Sequence, residues 1–163
     1  MTKTSLQCRE CKKEYASTFK YICDECFGPL DVKYEFPSIT KNTFTNREHT
    51  YWRYFELLPI QDKSNIISIN AGMTPLVKAE KLGQKLGLNN LYIKNDSVNP
   101  TFSFKDRPAG VAISKAKEFG LSAVGCASTG NLASATAAHA AKGGFPCYVF
   151  APSDIEHVKI AQA

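Results

Sequence analysis

The sequence lacks long apolar runs: no stretch approaches the ~20 residues that are needed to cross a bilayer. Its first residues, MTKTSLQCREC, are polar and lack the apolar segment of a secretory signal. These two absences argue against a membrane partner and against export. We therefore expect a cytoplasmic protein, in which cysteine thiols stay reduced.

The sequence also has little unbalanced charge where a nucleic-acid surface would need it. The net charge is +5, from 20 Lys and Arg against 15 Asp and Glu. Within residues 1–36, however, the basic and acidic side chains cancel. The remaining excess is scattered over predicted helix faces, where charged side chains are usually solvated. The charge pattern therefore does not predict a nucleic-acid partner.

What the sequence does contain, from about Thr50 on, is an alternation of strand and helix signals. Apolar runs at Leu91–Asn95, at Ser122–Ala127 and in PCYVFAP predict three strands. Two helices are predicted between them: one with Asp106 as its N-cap and Pro108 in its first turn, and an alanine-rich one after STGN. This order indicates an α/β fold with a parallel sheet.

The chain of 163 residues divides into three predicted zones. Residues 1–37 are cysteine-bearing and rich in Tyr and Phe, residues 38–70 form a polar connector and N-terminal segment, and residues 71–163 carry the α/β pattern. The final stretch, SDIEHVKIAQA, predicts the opening of a further helix. Because the chain ends inside this predicted helix, we expect the α/β domain to be truncated there, which would leave the edges of an open parallel layer exposed.

Two CxxC pairs lie within the first zone, with eleven residues between them. Each pair can place two thiolates on a tight turn, and four sulfurs form the tetrahedral set that Zn2+ favours. Disulfides are disfavoured in a reducing compartment, and catalytic zinc is disfavoured because four sulfurs close the coordination shell. We therefore predict a small structural zinc ribbon. Its metal ligands are Cys8, Cys11, Cys23 and Cys26.

Other residues that often carry chemistry are expected to be structural. Cys126 and Cys147 lie in apolar strands and are predicted to be small buried residues. His139, in the alanine-rich helix, is expected to be hydrogen-bonded or half-exposed. Trp52 and Tyr54 are expected to contribute to packing.

One lysine, Lys105 in NPTFSFKDRPAG, lies among aromatic and turn-forming residues at a predicted helix start. Its simplest interpretation is a surface lysine in a charged helix terminus. In an apolar pocket, which Phe102 and Phe104 could supply, a lysine instead loses proton affinity and becomes a nucleophilic amine. Condensation with an aldehyde cofactor requires such an amine.

The turn Ser128-Thr129-Gly130-Asn131 follows a predicted strand and opens the alanine-rich helix. The free N–H groups and the dipole of a helix N-terminus bind anions. The two hydroxyls add donors, glycine permits close approach of a ligand, and the asparagine can offer its amide to a phenolic oxygen. Taken alone, the turn is equally an ordinary capped helix start.

Together, NPTFSFKDR and CASTGN resemble the fold-type-II pyridoxal-phosphate (PLP) enzymes, and within that group the threonine synthases. WRYFELLP, GMTPL and YIKNDSVNPT resemble further segments of that family, some members of which have an N-terminal zinc ribbon. The resemblance covers nearly the whole chain and departs at Phe102, where many relatives have glycine. It implies the parallel-sheet fold of the tryptophan synthase β group, incomplete here and preceded by a zinc ribbon.

The resemblance also implies roles for five residues. Lys105 would hold PLP covalently and serve as the acid and base that moves protons on the substrate. Asn131 would hydrogen-bond the 3′-oxygen of the cofactor ring. Ser128 and Thr129 would contact anionic groups of the substrate. Phe104 would pack near the ring or, equally, line the core of its own domain.

The implied reaction converts O-phosphohomoserine and water to threonine and phosphate. The family's residues for the PLP phosphate and the pyridine nitrogen would lie beyond Ala163, so we expect this chain alone to bind PLP weakly and to be inactive. A homodimer is possible at full length. Asp106 and Arg107 are expected to be structural charges. Two alternatives stay open: another fold-type-II chemistry, such as that of threonine dehydratase or cysteate synthase, and a zinc-ribbon interaction module.

Overall fold

The structure, a computed structural model, describes residues 2–154 and Ala161. Its N-terminal sheet is antiparallel, with strand β1 (Lys3–Cys8) between β2 (Glu14–Ala16) and β3 (Leu30–Glu35). Leu6 and two cysteines are the buried hydrophobic residues of this sheet and its loops. So small an apolar set cannot form a core of its own.

Residues 38–70 are more ordered and more apolar inside than the predicted polar connector. They contain three short 3-10 helices, Lys41–Phe44, Tyr51–Leu57 and Lys63–Asn65. The middle helix buries three aromatic residues, Tyr51, Trp52 and Phe55. The central cluster consists of Tyr51, Trp52, Phe55, Ile60 and Ala71. This segment therefore begins the body of the protein, residues 51–150.

The packing role predicted for Trp52 is confirmed by its burial in this cluster. Tyr54 remains 37% exposed. Its ring contacts that of Phe44 edge-on, with ring centres 5.1 Å apart, so it packs at the surface.

Strands β4 (Leu76–Lys78) and β5 (Tyr92–Lys94) form an antiparallel pair joined by helix α1 (Glu80–Leu86). The helix ends at Gly87, whose φ of 68° is the left-handed conformation that reverses the chain. The chain therefore returns beside β4 in the opposite direction. The strand predicted over Leu91–Asn95 exists, but the prediction that it belongs to the parallel layer is wrong for the described residues.

The parallel α/β pattern is confirmed in the second half of the body. It consists of α2 (Asp106–Glu118), β6 (Val124–Ala127), α3 (Asn131–Gly143) and β7 (Cys147–Phe150). β6 and β7 are parallel, with α3 as the crossover between them. Helices α2 and α3 pack against each other, and α3 also packs on both strands.

The β6–β7 pair is open on one side. Cys126 and Cys147 are half-buried, so the prediction that they are buried is wrong, because within the described residues the pair is covered by a helix on one face only. The helix predicted over SDIEHVKIAQA falls almost entirely outside the described residues. In the part of the chain that the structure describes, helices fall short of the length and apolar character of a membrane span.

Candidate functional site

Lys105 lies in the segment between β5 and α2, immediately before the first residue of α2. That residue, Asp106, was predicted to cap the helix, and this is wrong. Its carboxylate accepts hydrogen bonds from the backbone N–H of Thr101 at 2.8 Å and from the Thr101 hydroxyl at 2.9 Å. The Ser103 hydroxyl oxygen accepts the backbone N–H of Lys105 at 3.2 Å. These bonds fix the backbone on both sides of the lysine.

The side chain of Lys105 is half-buried, and its Nζ lies 4.7 Å from the centre of the Phe104 ring, a cation–π contact. Phe102 and Phe104 are 71% and 55% exposed. The prediction that these two rings supply an apolar pocket around the amine is therefore wrong for the described residues. Phe102 has φ of 60°, a left-handed conformation that glycine adopts with less strain.

Arg107, two residues after Lys105 in the sequence, forms a bidentate ion pair with Asp96. The Nη1–Oδ2 and Nη2–Oδ1 distances are 2.7 and 2.8 Å, and the Thr74 hydroxyl donates to Asp96 Oδ1 at 2.6 Å. The hydrogen bonds from Arg107, and then those from Thr74, lower the pKa of Asp96 to about 2. The pair connects the GMTPL turn to the first turn of α2. A contact of this kind stabilises the fold, which is the structural role expected for Arg107.

Asn99 forms a second cross-link at this place, which the sequence patterns did not predict. Its Oδ1 accepts the backbone N–H of Gly72 at 2.9 Å, and its Nδ2 donates to the carbonyl of Asp96 at 2.9 Å. Gly72 has φ of 79°, which glycine tolerates. The sequence feature that could have predicted this contact is an asparagine between turn-forming residues, because a buried amide at such a place can join two turns.

The Ser128–Asn131 turn lies at the strand-to-helix junction where the sequence predicts it. The backbone N–H of Ser128 donates to the carbonyl of Phe150 at 3.1 Å, and its Oγ accepts the N–H of Gly130 at 3.3 Å. Thr129 and Asn131 are exposed, and α3, which begins at Asn131, is 13 residues long. The hydroxyls and the amide therefore lie at a helix N-terminus, where negative charge is favoured.

The lysine segment and α3 lie next to each other. A cavity of about 360 Å³ separates Pro100, Thr101 and Phe102 from Ser134 and Ala138 of α3. The α3 residues that line the cavity lie beyond the N-terminus of the helix. Because α2 and α3 also pack against each other, the two predicted catalytic segments are carried by neighbouring elements.

Two polar residues, Asp106 on α2 and His139 on α3, are buried side by side, which was not predicted from the sequence. His139 and Asp106 are fully buried, with His139 Nε2 3.6 Å from Asp106 Oδ1. The expectation that His139 is half-exposed is wrong, because the residue is fully buried. Neither ring nitrogen is within hydrogen-bond distance of a partner among the described residues, and Nε2 lies just beyond that distance from Asp106. Helical spacing could have predicted this burial, because His139 follows Ala135 by one turn and therefore lies on the buried face of α3.

The four predicted metal ligands come together in the N-terminal sheet. The sulfur atoms of Cys8, Cys11, Cys23 and Cys26 all lie within 4.8 Å of one another. Two of the distances are 3.4 and 3.5 Å. Four sulfurs at about 2.3 Å from a central Zn2+ would lie about 3.8 Å apart. The set therefore has the size and donor chemistry to hold a metal that prefers thiolates.

The two CxxC turns have the same backbone hydrogen bonds. In each, the first cysteine donates its N–H to the carbonyl five residues later and accepts the N–H of the residue four positions later, at distances between 2.9 and 3.2 Å. The residues at that fourth position, Lys12 and Phe27, are both left-handed, with φ of 64° and 57°. Two matching turns thus present two sulfurs each to one point.

Cys23 lies where negative charge on sulfur is stabilised. The Tyr15 hydroxyl is 3.0 Å from its Sγ, and the backbone N–H of Glu25 donates to it at 3.4 Å. Burial raises the pKa of Cys23, but the hydrogen bonds from Tyr15 and from backbone N–H groups outweigh burial and lower it to about 6. The thiolate is the form that binds metals.

Side chains join the N-terminal sheet to the body. Gln61 Nε2 donates to Thr4 Oγ1 at 3.2 Å. The Phe19 ring meets Phe119 of the body edge-on, with ring centres 6.1 Å apart. These contacts attach the N-terminal sheet to one face of the body.

The family described as pyridoxal-phosphate dependent enzyme matches residues 67–163. This range contains both Lys105 and the Ser128–Asn131 turn. It does not contain the four-cysteine site.

Curated relatives cover more of the chain. The threonine synthase of Methanocaldococcus jannaschii is 40% identical over 96% of this chain and 40% of its own length. That of Methanosarcina acetivorans is 40% identical over 97% of this chain and 40% of its own length. A threonine synthase from Bacillus sp. is 43% identical over 68% of this chain and 32% of its own length. The chain thus spans about 40% of the first two relatives, and those matches include the four-cysteine site.

Among solved structures, the processed form of threonine deaminase isoform 2 from Solanum lycopersicum is similar, with a TM-score of 0.52. It is 33% identical to this chain. The match covers 56% of this chain and 25% of that one.

Proposed function

The chain belongs to the family of pyridoxal-phosphate dependent enzymes, and from this premise we propose that it acts in a threonine synthase, converting O-phosphohomoserine and water to L-threonine and phosphate. The observation that carries the proposal is 40% identity to two threonine synthases over 96% and 97% of the chain. Because the matched range includes the four-cysteine site, which lies outside the residues matched by the family model, it supports more than the general family.

We assign cofactor binding and proton transfer to Lys105. Its backbone is fixed by Ser103 and, through Asp106, by Thr101. An amine held at this junction can bind an aldehyde carbon covalently and can move protons at carbon atoms close to it. Pyridoxal phosphate, when bound, supplies the electron sink for chemistry at those carbons.

The remaining assignments follow from the donors around the α3 N-terminus. Ser128 and Thr129 are assigned to anionic groups of the substrate, because their hydroxyls lie at the positive end of the helix dipole. Asn131 is exposed there and is assigned to the 3′-oxygen of the cofactor. Phe104 is assigned to contact with the cofactor ring, since it lies beside the lysine amine. An amine, an amide and two hydroxyls fit a phenolic aldehyde with an anionic substrate.

The Lys105 assignment can be tested by trapping. The chain is incubated with pyridoxal phosphate, reduced with borohydride and mapped by peptide mass spectrometry. We expect the adduct on Lys105, its loss in Lys105→Ala, and its retention in Lys142→Ala, which removes an exposed lysine from the last turn of α3. Equal labelling of many lysines, or an adduct that survives Lys105→Ala, would contradict the assignment.

A second candidate is deaminase chemistry on threonine, which the similarity to the Solanum lycopersicum threonine deaminase favours. Competition distinguishes the two without requiring turnover. If the site belongs to a threonine synthase, O-phosphohomoserine should reduce borohydride trapping on Lys105 at lower concentration than L-threonine does, because its phosphate adds an anionic contact. The reverse order would favour the deaminase.

We also propose that the four cysteines hold a structural Zn2+. Three observations support this: the sulfurs lie within 4.8 Å of one another, the two turns that carry them have matching hydrogen bonds, and the sheet around them has few buried apolar residues. Four thiolates complete a tetrahedral shell, so the metal would stabilise the fold and leave no position for substrate.

A further inference from the structure

Asp106 on α2 and His139 on α3 meet in the interface between the two helices. Both are fully buried, and His139 Nε2 lies 3.6 Å from Asp106 Oδ1. Neither residue has a chemical role in the function proposed above. Yet Asp106 directly follows Lys105, and His139 is on the helix that begins at Asn131. The pair therefore joins the two elements that carry the proposed catalytic residues.

The Asp106 carboxylate needs hydrogen-bond donors, because a buried charge without them is strongly destabilising. Thr101 supplies one donor to each oxygen, at 2.8 and 2.9 Å. A carboxylate oxygen can accept more than one hydrogen bond. His139 Nε2 is next to Oδ1 and has no other hydrogen-bond partner in the described part of the chain. A small side-chain movement would bring the 3.6 Å separation into hydrogen-bond range.

His139 suits this role as a neutral imidazole. Burial, opposed by the charge of Asp106, lowers the pKa of His139. A neutral imidazole has one N–H donor and one acceptor nitrogen. With the hydrogen on Nε2, the ring donates to Asp106 and keeps Nδ1 as an acceptor.

A tyrosine hydroxyl lies close to the other side of the imidazole. A Cβ placed on Gly110 would be 2.4 Å from Tyr51 Oη, 2.8 Å from His139 Cε1 and 3.3 Å from His139 Nδ1. The hydroxyl of Tyr51 is buried and lacks a hydrogen-bond partner among the described residues. Gly110 thus lets a phenol and an imidazole converge where any side chain would collide with them.

We infer that His139 is a positioning residue for Lys105: by donating from Nε2 to Asp106, it holds the carboxylate against Thr101 and so fixes the segment that carries the lysine. The importance of that segment for catalysis rests on the proposed function. The rigidity of the segment is a property of the chain itself and can be measured without cofactor.

The test uses amide hydrogen exchange at single residues, measured by NMR on the chain and its variants. The key amide is that of Thr101, whose N–H donates to Asp106. His139→Gln keeps a donor near the position of Nε2, whereas His139→Asn does not reach it. We expect exchange at Thr101 to accelerate about tenfold or more in His139→Asn and to stay close to wild type in His139→Gln.

Ser114→Ala is the matched control, because it removes a buried hydroxyl from the same helix α2. Ser114 Oγ accepts the backbone N–H of Ile67 at 2.9 Å. This variant should accelerate exchange at Ile67 and leave Thr101 protected. His139→Leu serves as a second variant should His139→Asn not fold: it fills the buried space but offers Asp106 no donor, and it should release the Thr101 amide as well.

Unchanged protection of Thr101 in His139→Asn would overturn the inference. So would equal loss of protection at Thr101 and Ile67, which would mean general destabilisation. The second readout is the rate of borohydride trapping of pyridoxal phosphate on Lys105, expected to fall in His139→Asn and to recover in His139→Gln. If Thr101 responds as expected while no variant, nor the wild type, forms the Lys105 adduct, the positioning of the segment stands and the cofactor assignment fails.

Discussion

The N-terminal sheet and the body of the protein reach order by different means. In the sheet, the buried hydrophobic residues are Leu6 and two cysteines, while large rings such as Phe27 face solvent. The body buries an aromatic cluster around Trp52 and Ile60. The sheet is organised around four sulfur atoms, whereas the body is stabilised by packed side chains and buried hydrogen bonds. The two should therefore respond to different perturbations, although they contact each other.

The largest effect is expected from removing the metal ligands. Cys23→Ser should abolish zinc binding and unfold the N-terminal sheet, because structural zinc contributes about 10 kcal/mol or more to folding in small zinc-binding units. The body should keep its helices. Atomic emission for zinc content, expected at one ion per wild-type chain, and amide exchange across both regions provide the measurements.

Cys147→Ser is the matched control, because Cys147 lies in β7 and outside the four-sulfur set. It should retain zinc and the protection of the sheet. If Cys23→Ser kept its sheet amides protected, or if a chelator left them protected, the sheet would not depend on metal and the contrast between the regions would disappear.

Truncation of an apolar side chain should show the reverse contrast. Ile60 is 2% exposed in the central cluster of the body. Ile60→Ala should lower the free energy of unfolding of the body by about 2–5 kcal/mol, since it removes buried methyl groups and leaves a cavity. Val32→Ala in β3, where the side chain is exposed, should have little effect. Denaturant titration followed by tryptophan fluorescence measures the unfolding of the body in both variants, since the single Trp52 lies in the same cluster as Ile60. Equal losses in the two variants would contradict the contrast.

The ion pairs of the two regions should contribute differently to the pH dependence of stability. Hydrogen bonds from Arg107 lower the pKa of Asp96 to about 2. A depressed pKa in the folded state stabilises the protein above the ordinary Asp value near 4, and this contribution is lost as the pH falls from about 4 to about 2. Arg107→Lys keeps the charge but loses the bidentate geometry, and should cost on the order of 1 kcal/mol at neutral pH.

Thermal unfolding of wild type and Arg107→Lys between pH 2 and pH 7 tests this prediction, and the difference between them should shrink toward pH 2. Arg9 of the N-terminal sheet is the counterpart. It pairs with Asp31, but both side chains are more than half exposed, so Arg9→Lys should change little at any pH. A pH-independent difference for Arg107→Lys would show that Asp96 is not the group responsible.

The sequence predicted the features that local spacing determines. Two CxxC pairs bring four sulfurs together, because each pair needs only a tight turn of its own. Likewise, Ser128–Asn131 lies between β6 and α3, since a strand, a glycine turn and an alanine-rich helix are each encoded within a few residues. Parallel pairing of β6 with β7 followed from that same order.

Features that depend on distant partners were not predictable in the same way. His139 and Asp106 are 33 residues apart, and only the packing of α3 on α2 brings them together. The exposure of Phe102 depends on what covers the ring and not on its neighbours in sequence. Strand β5 pairs with β4 because Gly87 reverses the chain, and the strand pattern alone does not show its direction.

The smallest expected effect concerns two phenylalanines in the left-handed conformation, one in each region. Phe27 and Phe102 have φ of 57° and 60° and are 75% and 71% exposed. Glycine removes a backbone strain of about 1 kcal/mol but gains about as much freedom in the unfolded chain, so each Phe→Gly change should shift stability by less than about 1 kcal/mol. Chemical denaturation of both variants, with Phe27→Ala and Phe102→Ala as controls that remove the ring and keep the strain, measures this. A loss of stability greater than about 1 kcal/mol in both Phe102→Gly and Phe102→Ala would mean that the ring packs against something in solution, because both variants lack the ring. The same loss restricted to Phe27 would instead mean that the CxxC turn, and with it the metal, requires that side chain.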